Sequence, residues 1–188
     1  VVFLINGNSA SASEILTSVV KDYKKAFIVG TKSYGKGTVQ SMFSLSDGSV
    51  LKLTVEKFFS PLGNEINKVG IKPDIDTGDA DALAAAQLLM GKSKSPDKTG
   101  FLKLEKDGRS FEINLSMARK PEYWPAFNKI LESRSSGSKI MVGCKNGWTN
   151  VQDKSQNDLT SLYFPGYKSM ADLNDVPVDK KFTVKFNA

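Results

Sequence analysis

Two short apolar runs on either side of one helical pattern restrict the fold of this chain more than any other feature. The runs lie at 1–6 and 26–30, and apolar runs of this length that end at turn residues predict buried strands. Between them, apolar residues recur at i, i+3, i+4, i+7, i+8 and i+11, which predicts a helix with one buried face. Its members are Ala12, Ile15, Leu16, Val19, Val20 and Tyr23. Residues 1–30 therefore predict a strand–helix–strand unit.

The start of this helix is marked by its own signal. Ser11-Ala12-Ser13-Glu14 has the S-x-x-E form of a capping box, in which the first serine and the glutamate bond each other's backbone N–H groups. We therefore expect the helix to begin at Ser11.

A β-hairpin is predicted next. Residues 38–45 and 50–59 alternate between apolar and polar, and the turn sequence SDGS separates them. The alternation predicts that Leu51, Leu53 and Val55 point inward. Strand, helix, strand and hairpin together predict an α/β core.

The second half predicts a small α+β module. A helix is expected at 79–91, with acids at its start and glycine at its end. Residues 92–100 have linker composition and mark the expected domain boundary. Beyond the boundary, 101–188 predicts a hairpin around Asp107-Gly108, a helix that starts near Pro121 or Pro125, and strands at 138–144 and 181–186. We find no catalytic motif in this module.

The sequence contains no apolar run of about 18 residues that could span a membrane. It opens directly on a core strand, without a charged leader, so we expect a fragment of a longer protein rather than a signal peptide. Its 188 residues, 40% of them hydrophobic, suffice for a core.

The absence of histidine excludes several kinds of site within this chain. A Ser-His-Asp or Cys-His catalytic pair is excluded, and so is a zinc site with an imidazole ligand. We expect no metal and no cofactor. The single cysteine, Cys144, cannot form an internal disulfide.

The net charge of +6 belongs wholly to residues 91–188, because residues 1–90 hold nine lysines and nine acidic residues. Such an excess is typical of contact with an acidic wall, a lipid surface or nucleic acid. The aromatic residues are not interleaved with the basic ones as on a stacking platform. We therefore expect a solvated lysine-rich surface, with no nucleic-acid partner.

The serine-rich turn is the first candidate site. Ser11 is either a plain helix cap or a nucleophile at a strand-to-helix turn, where free N–H groups at the helix start would bind an oxyanion. Serine caps are common, so the local sequence alone favours the cap.

The second candidate site is GTKSYGKGT at 30–38. It resembles a phosphate-binding P-loop, but Gly37 replaces the required serine or threonine and a strand pattern replaces the required helix. A nucleotide-binding function is therefore disfavoured.

Lys36 lies between two glycines, which would let the backbone bring its amine inward. Desolvation would lower the pKa of this lysine, and a neutral amine is a competent general base for a serine hydroxyl. Gln40 shares a strand face with Lys36 if the chain is extended, and its amide would orient the amine without keeping it protonated.

Six short motifs together resemble the C-terminal processing, or tail-specific, serine peptidases. They are SASASEI, DY, VG, GKGTVQ, LSDGS and GIKPDI, in the family order within residues 1–90. The resemblance implies that Ser11 is the nucleophile, that Lys36, 25 residues later, is the general base, and that Gln40 supports it. It also implies that the Ala12 N–H is an oxyanion donor. Glu14 matches a family glutamate, for which a capping role is sufficient.

The resemblance further implies a partial crotonase-like or ClpP-like core at 1–91, the C-terminal part of a peptidase catalytic domain, followed by the linker and an accessory module at 101–188. It implies cleavage near unstructured protein C-termini and a location outside the cytoplasm, in a bacterial envelope or a thylakoid lumen. Family members carry a PDZ module and a further half-domain before the nucleophile. The sequence contains neither, so we expect this chain to be inactive alone, with apolar surface available for self-association.

The basic module could contact the cell envelope. One alternative stays open at this point, namely a catalytically silent binding or scaffold protein that has kept a peptidase-like core.

Overall fold

The predicted strand–helix–strand unit forms at the start of the chain. The computed structural model describes residues 1–151; the strand predicted at 181–186 lies outside them. The elements in chain order are β1 (Val2–Ile5), α1 (Ala12–Asp22), β2 (Phe27–Gly30), β3 (Thr38–Ser44), β4 (Val50–Lys57), β5 (Ile75–Asp76), α2 (Ala82–Leu89), β6 (Phe101–Lys106), β7 (Arg109–Asn114), α3 (Leu115–Ala118), α4 (Trp124–Glu132), β8 (Lys139–Cys144) and β9 (Gly147–Asn150).

A three-stranded parallel sheet is the centre of the first half. Its strand order is β1-β2-β5, and Val29 of β2 lies opposite Leu4 on one side and Ile75 on the other. All four residues of β2 are buried, which explains why its sequence is continuously apolar rather than alternating. The buried strand predicted at 26–30 is confirmed. The strand predicted at 1–6 is present as β1, but the expectation that it is buried is wrong, because Leu4 is 45% exposed and only Ile5 is buried.

Helix α1 begins where the sequence predicts, with Ser11 as its N-cap, but the prediction of its buried face is wrong. Ile15 and Leu16 are 44% and 54% exposed, and Tyr23 is exposed as well. The buried side chains of the helix are Glu14, Thr17 and Ser18. Only part of the predicted face packs inward: Val20 contacts the cluster of Ile5, Ala26, Ile28 and Ile71.

The polar face of α1 is buried because each of its polar groups has a partner. The Thr17 hydroxyl donates to the Ser13 carbonyl at 2.7 Å, and the Ser18 hydroxyl donates to the Ile15 carbonyl at 2.8 Å. Buried hydroxyls that bond their own helix carry little desolvation cost. The carboxylate of Glu14 is satisfied by a neighbouring loop, which is described with the candidate site.

The end of α1 is tied to a loop in the same way. One carboxylate oxygen of Asp22 accepts from the Ser60 hydroxyl at 2.5 Å and from the Leu62 N–H at 2.9 Å. The helix is thus held at both ends by carboxylates that bond turn residues.

The predicted hairpin is present as β3 and β4, but neither face of it is buried in a core. Phe43 lies opposite Leu51, and Ser41 opposite Leu53. Every residue of β4 is exposed, including Leu51, Leu53 and Val55. The prediction that these three point into a core is therefore wrong for the described residues, because β3 and β4 contact mainly each other.

A four-stranded antiparallel sheet, in the order β7-β6-β8-β9, organises the second half. The hairpin predicted at Asp107-Gly108 is confirmed: both residues have positive φ, 52° and 74°, as a type I′ turn requires. Alternate residues of β6 and β7 are buried, so one face of the sheet is covered. Helix α4 has Pro125 in its first turn, which confirms the predicted helix start.

Residues 92–100 lie against this sheet. The Lys98 N–H donates to the Cys144 carbonyl at 3.1 Å, and a Cβ on Gly143 would lie 1.8 Å from the Lys98 carbonyl oxygen. Glycine is therefore required where this segment crosses β8. The domain boundary placed here stays a prediction.

The search for membrane spans among residues 1–151 finds no helix of sufficient length and apolarity.

The exposed apolar hairpin predicts self-association of the chain. Phe43 and Leu51, an exposed cross-strand pair, would be shielded from water in an oligomer. Replacing both by lysine should shift the chain towards monomer, as measured by analytical ultracentrifugation over a concentration series.

Leu83→Lys is the control, because Leu83 is equally exposed but lies on α2. A chain that is monomeric at all concentrations, or one that responds equally to both changes, would contradict this prediction.

Candidate active site

Ser11 occupies a strained backbone position at the start of α1. Its φ and ψ are 56° and −117°, a region in which non-glycine residues cost about 1–3 kcal/mol. Ser11 and Glu14 form the predicted capping box, with the Ser11 N–H donating to Glu14 Oε2 at 3.0 Å.

The first turn of α1 contains one free amide. The N–H groups of Ser13, Glu14 and Ile15 donate to backbone carbonyls of Ala10 and Ser11. Within residues 1–151 no acceptor bonds the N–H of Ala12. An unpaired amide at a helix start is the kind of group that can bind an anion.

A single buried carboxylate links the serine turn to the lysine loop. The side chain of Glu14 is 0% exposed. Its Oε2 accepts from the backbone N–H of Ser11 at 3.0 Å and from that of Lys36 at 2.8 Å. Its Oε1 accepts from the Gly35 N–H at 2.7 Å and from the Ser33 hydroxyl at 2.5 Å. The backbones of both candidate catalytic residues are therefore fixed by one side chain.

Loop 66–71 supports the lysine loop from the other side. The Ser33 hydroxyl, which donates to Glu14, also accepts from the Ile71 N–H at 2.7 Å. A Cβ on Gly70 would lie 2.4 Å from the Ser33 carbonyl oxygen, and one on Gly37 would lie 2.5 Å from the Asn67 nitrogen. These two glycines are needed because the two backbones touch.

Sequence reasoning missed the roles of Ser33, Asn67 and Gly70. Gly70 begins the GIKPDI motif, which carries the resemblance but had no assigned role. Asn67 accepts from the Gly37 N–H through its side-chain oxygen at 3.4 Å. A cluster of glycines in two separate loops is the signal that could have indicated their close approach.

The side chain of Lys36 lies on the surface. It is exposed, so the expectation that the flanking glycines bring the amine inward is wrong in this chain. Among residues 1–151, no hydrogen bond joins the Ser11 hydroxyl to the Lys36 ammonium. The structure thus brings the two backbones together through Glu14 without joining the two side chains.

Gln40 also has an exposed side chain. It lies opposite Thr54 in the hairpin, and the strand register shifts between Val39 and Gln40. A β-bulge at this point redirects the side chains that follow it. The register shift therefore falls at the start of the hairpin, directly before Gln40.

Strand β3 begins two residues after Lys36. A P-loop requires a helix at this point, whose N-terminus would hold the phosphate. The geometry that would support nucleotide binding at 30–38 is absent from this loop.

Comparison with known proteins identifies a related family of peptidases. The model of peptidase family S41 matches residues 1–77. Carboxyl-terminal-processing peptidase 3 of Arabidopsis thaliana chloroplasts is 49% identical over 86 residues, which are 45% of this chain and 17% of that protein. A probable CtpA-like serine protease of Staphylococcus aureus is 35% identical over 180 residues, which are 83% of this chain and 35% of that protein.

Among solved structures, a photosystem II D1 C-terminal processing protease is 44% identical, with a TM-score of 0.39, over 40% of this chain and 19% of that one. Residues 1–77 belong to peptidase family S41. Within that class the chain is related to the C-terminal processing peptidases, and it spans about a third or less of the length of these relatives.

The carboxylate of Glu14 should stabilise the fold strongly. Glu14→Gln replaces one acceptor oxygen by an NH₂ group that faces N–H donors, and it removes the charge from the other bonds. We expect a loss of about 2–4 kcal/mol in the free energy of unfolding, measured by urea denaturation.

Glu65→Gln is the matched control, because Glu65 forms an exposed ion pair with Lys57 and should lose less than about 1 kcal/mol. Equal effects of the two changes would show that the buried carboxylate is not a structural hub.

Strain at Ser11 predicts an unusual order of stability. Ser11→Gly removes the Cβ that disfavours this backbone conformation, whereas Ser11→Ala keeps it. We expect the glycine variant to be more stable than the alanine variant by about 1 kcal/mol, or about 2–4 °C in Tm.

The same pair of changes at Ser13, inside α1, should give the opposite order, since glycine costs about 1 kcal/mol relative to alanine in a helix. If glycine is the less stable residue at both positions, Ser11 is not strained.

Proposed function

We propose that this chain is the part of a serine endopeptidase that carries its nucleophile and its general base. Ser11 is the nucleophile, Lys36 the base, and Gln40 the residue that orients the lysine amine. The observation that supports this most is the Glu14 carboxylate, whose Oε2 bonds the backbone N–H of both Ser11 and Lys36. One rigid acceptor thereby sets the distance between the two residues.

The proposed reaction uses these residues and water. The neutral amine of Lys36 takes the proton of the Ser11 hydroxyl while Ser11 Oγ attacks the scissile carbonyl carbon. The resulting oxyanion accepts a hydrogen bond from the Ala12 N–H. The lysine returns the proton to the leaving amine, an ester to Ser11 remains, and water hydrolyses it by the same proton transfers.

This mechanism requires the lysine to be uncharged when it acts. The side chain of Lys36 is exposed in the described residues, and contact with water favours the charged form of an amine. We infer that another part of a longer peptidase covers the lysine loop and excludes water, which favours the neutral amine. The open faces of α1 and of the β3–β4 hairpin are apolar surfaces of the kind that such a part would cover.

We further propose that the chain is inactive alone, that it is the C-terminal part of a catalytic domain with a crotonase-like or ClpP-like core, and that residues 101–188 form an accessory module. The relatives are processing peptidases, so the substrates are proteins. We assign the longer protein to cleavage near unstructured C-termini, outside the cytoplasm, with the basic module placed to contact the envelope.

A catalytically silent scaffold is the second candidate function. The exposure of Lys36 and Gln40 favours it, because neither side chain is held in a closed site. A test of the lysine chemistry separates the two functions.

The lysine test uses the longer protein with Lys36→Arg. Arginine keeps the charge and the stem but cannot lose its proton. For a Ser–Lys peptidase, kcat/KM of the parent for an unstructured peptide should rise with pH as the lysine deprotonates. Lys36→Arg should lower it by at least about 10³-fold, as Ser11→Ala should.

Lys32→Arg is the control, because Lys32 is exposed in the same loop and should keep full activity. Activity in Lys36→Arg, or none in the parent, would reject the Ser–Lys mechanism. Turnover by the 188-residue chain alone that Ser11→Ala abolishes would reject only the proposal that this chain is inactive.

A further inference from the structure

Helix α2 is shared by both halves of the described chain. It contacts β1 and β2 of the parallel sheet, and it also contacts β7 and α4 of the second half. Five of its eight residues are buried. A helix buried between two sheets in this way contributes apolar contacts to both of them.

The chain leaves α2 directly along β7. A Cβ on Gly91 would lie 2.8 Å from the carbonyl oxygen of Glu112. The carboxylate of Glu112 then accepts from the Ser93 N–H at 2.9 Å and pairs with the Lys98 ammonium at 3.4 Å. Residues 92–100, which have the composition of a linker, are thus bonded to strand β7.

One arginine of the second half reaches the junction between α1 and β2. Arg109 Nη2 donates to the carbonyl oxygen of Lys24 at 2.7 Å and to that of Ala26 at 2.9 Å. The guanidinium carbon lies 5.6 Å from the centre of the Phe27 ring. That ring in turn lies 4.8 Å from the ring of Phe111, which follows on β7.

These contacts hold the α1–β2 junction, which lies between Ser11 and Lys36 in the sequence. Lys24 has a positive φ of 52°, so the chain turns sharply between the helix that begins at Ser11 and the strand that leads to the lysine loop. The carbonyls at this turn lie beyond the last helical hydrogen bonds, and a cation is favoured there. Both bonds come from one guanidinium nitrogen, Nη2, whose two hydrogens are fixed in the guanidinium plane, whereas those of a lysine ammonium rotate.

We propose that Arg109 and Phe111 form an intramolecular docking surface, the Arg109 clamp, that holds the α1–β2 junction and makes residues 1–151 one cooperative folding unit. The clamp lies outside the segment that matches the peptidase family model, residues 1–77. The second half therefore contributes to the stability of the segment that carries Ser11 and Lys36. This inference concerns folding and is independent of the proposed hydrolysis.

The distribution of tryptophan allows a direct test in the 188-residue chain. Both tryptophans, Trp124 and Trp148, lie in the second half, so their fluorescence follows the unfolding of that half only. Hydrogen exchange of the amides of β2 follows the first half. If the unit is cooperative, the two signals should give the same urea midpoint, because an all-or-none transition looks alike to every probe. Two separate midpoints would overturn the proposal.

Arg109→Ala tests the clamp itself. It should accelerate exchange of the β2 amides at low urea by at least about tenfold, because two charge-assisted hydrogen bonds are lost at the junction. Arg134→Ala is the matched control, since Arg134 bonds the carbonyl of Leu131 at 2.7 Å within the second half only. Its effect on β2 exchange should stay within about threefold.

Arg109→Lys keeps the experiment decisive if the alanine variant does not fold. It retains the charge but not the planar fork, so exchange should again be faster than in the parent. Exchange in Arg109→Lys that equals the parent, or exchange in Arg109→Ala that equals Arg134→Ala, would overturn the clamp.

Discussion

The burial of the Glu14 carboxylate is the constraint on which the rest of the candidate site depends. A charge removed from water must be met by donors, or the fold loses several kcal/mol. Glu14 is met by four donors, and they come from both the serine turn and the lysine loop. The lysine loop follows β2, so β2 has to bring the chain back to the start of α1. The parallel pairing of β2 with β1 places the end of β2 there.

The burial of Glu14 also explains why α1 buries its polar face and exposes much of its apolar face. With Glu14 facing the loop, Thr17 and Ser18 follow it inward, three and four residues later, while Ile15 and Leu16 face outward. The apolar side of the helix and the hairpin β3–β4 then form open surfaces. These surfaces agree with a chain that spans about a third or less of its relatives.

Several elements could be predicted from local sequence because their causes are local. Ser11 and Glu14 mark the start of α1, and Pro125 lies in the first turn of α4. Asp107 and Gly108 form a tight turn, in which both residues adopt positive φ. The errors have one cause. Periodicity shows which residues share a face, as with Leu51, Leu53 and Val55, but not what that face contacts. The peptidase family was predicted from its motifs and is confirmed for residues 1–77, whereas the roles of Ser11, Lys36, Gln40 and Ala12 stay predictions.

By itself, the sequence determined the starts of α1 and α4, the β3–β4 and β6–β7 hairpins, the peptidase motifs and the exclusion of any histidine-based site within this chain, since each of these depends on residue type and short spacing. Only the tertiary structure decided that one buried carboxylate bonds the backbones of residues 11 and 36, that Lys36 is exposed, and that Arg109 holds a junction more than 80 residues earlier. These contacts join distant parts of the chain, and their energies depend on burial, which no local pattern specifies.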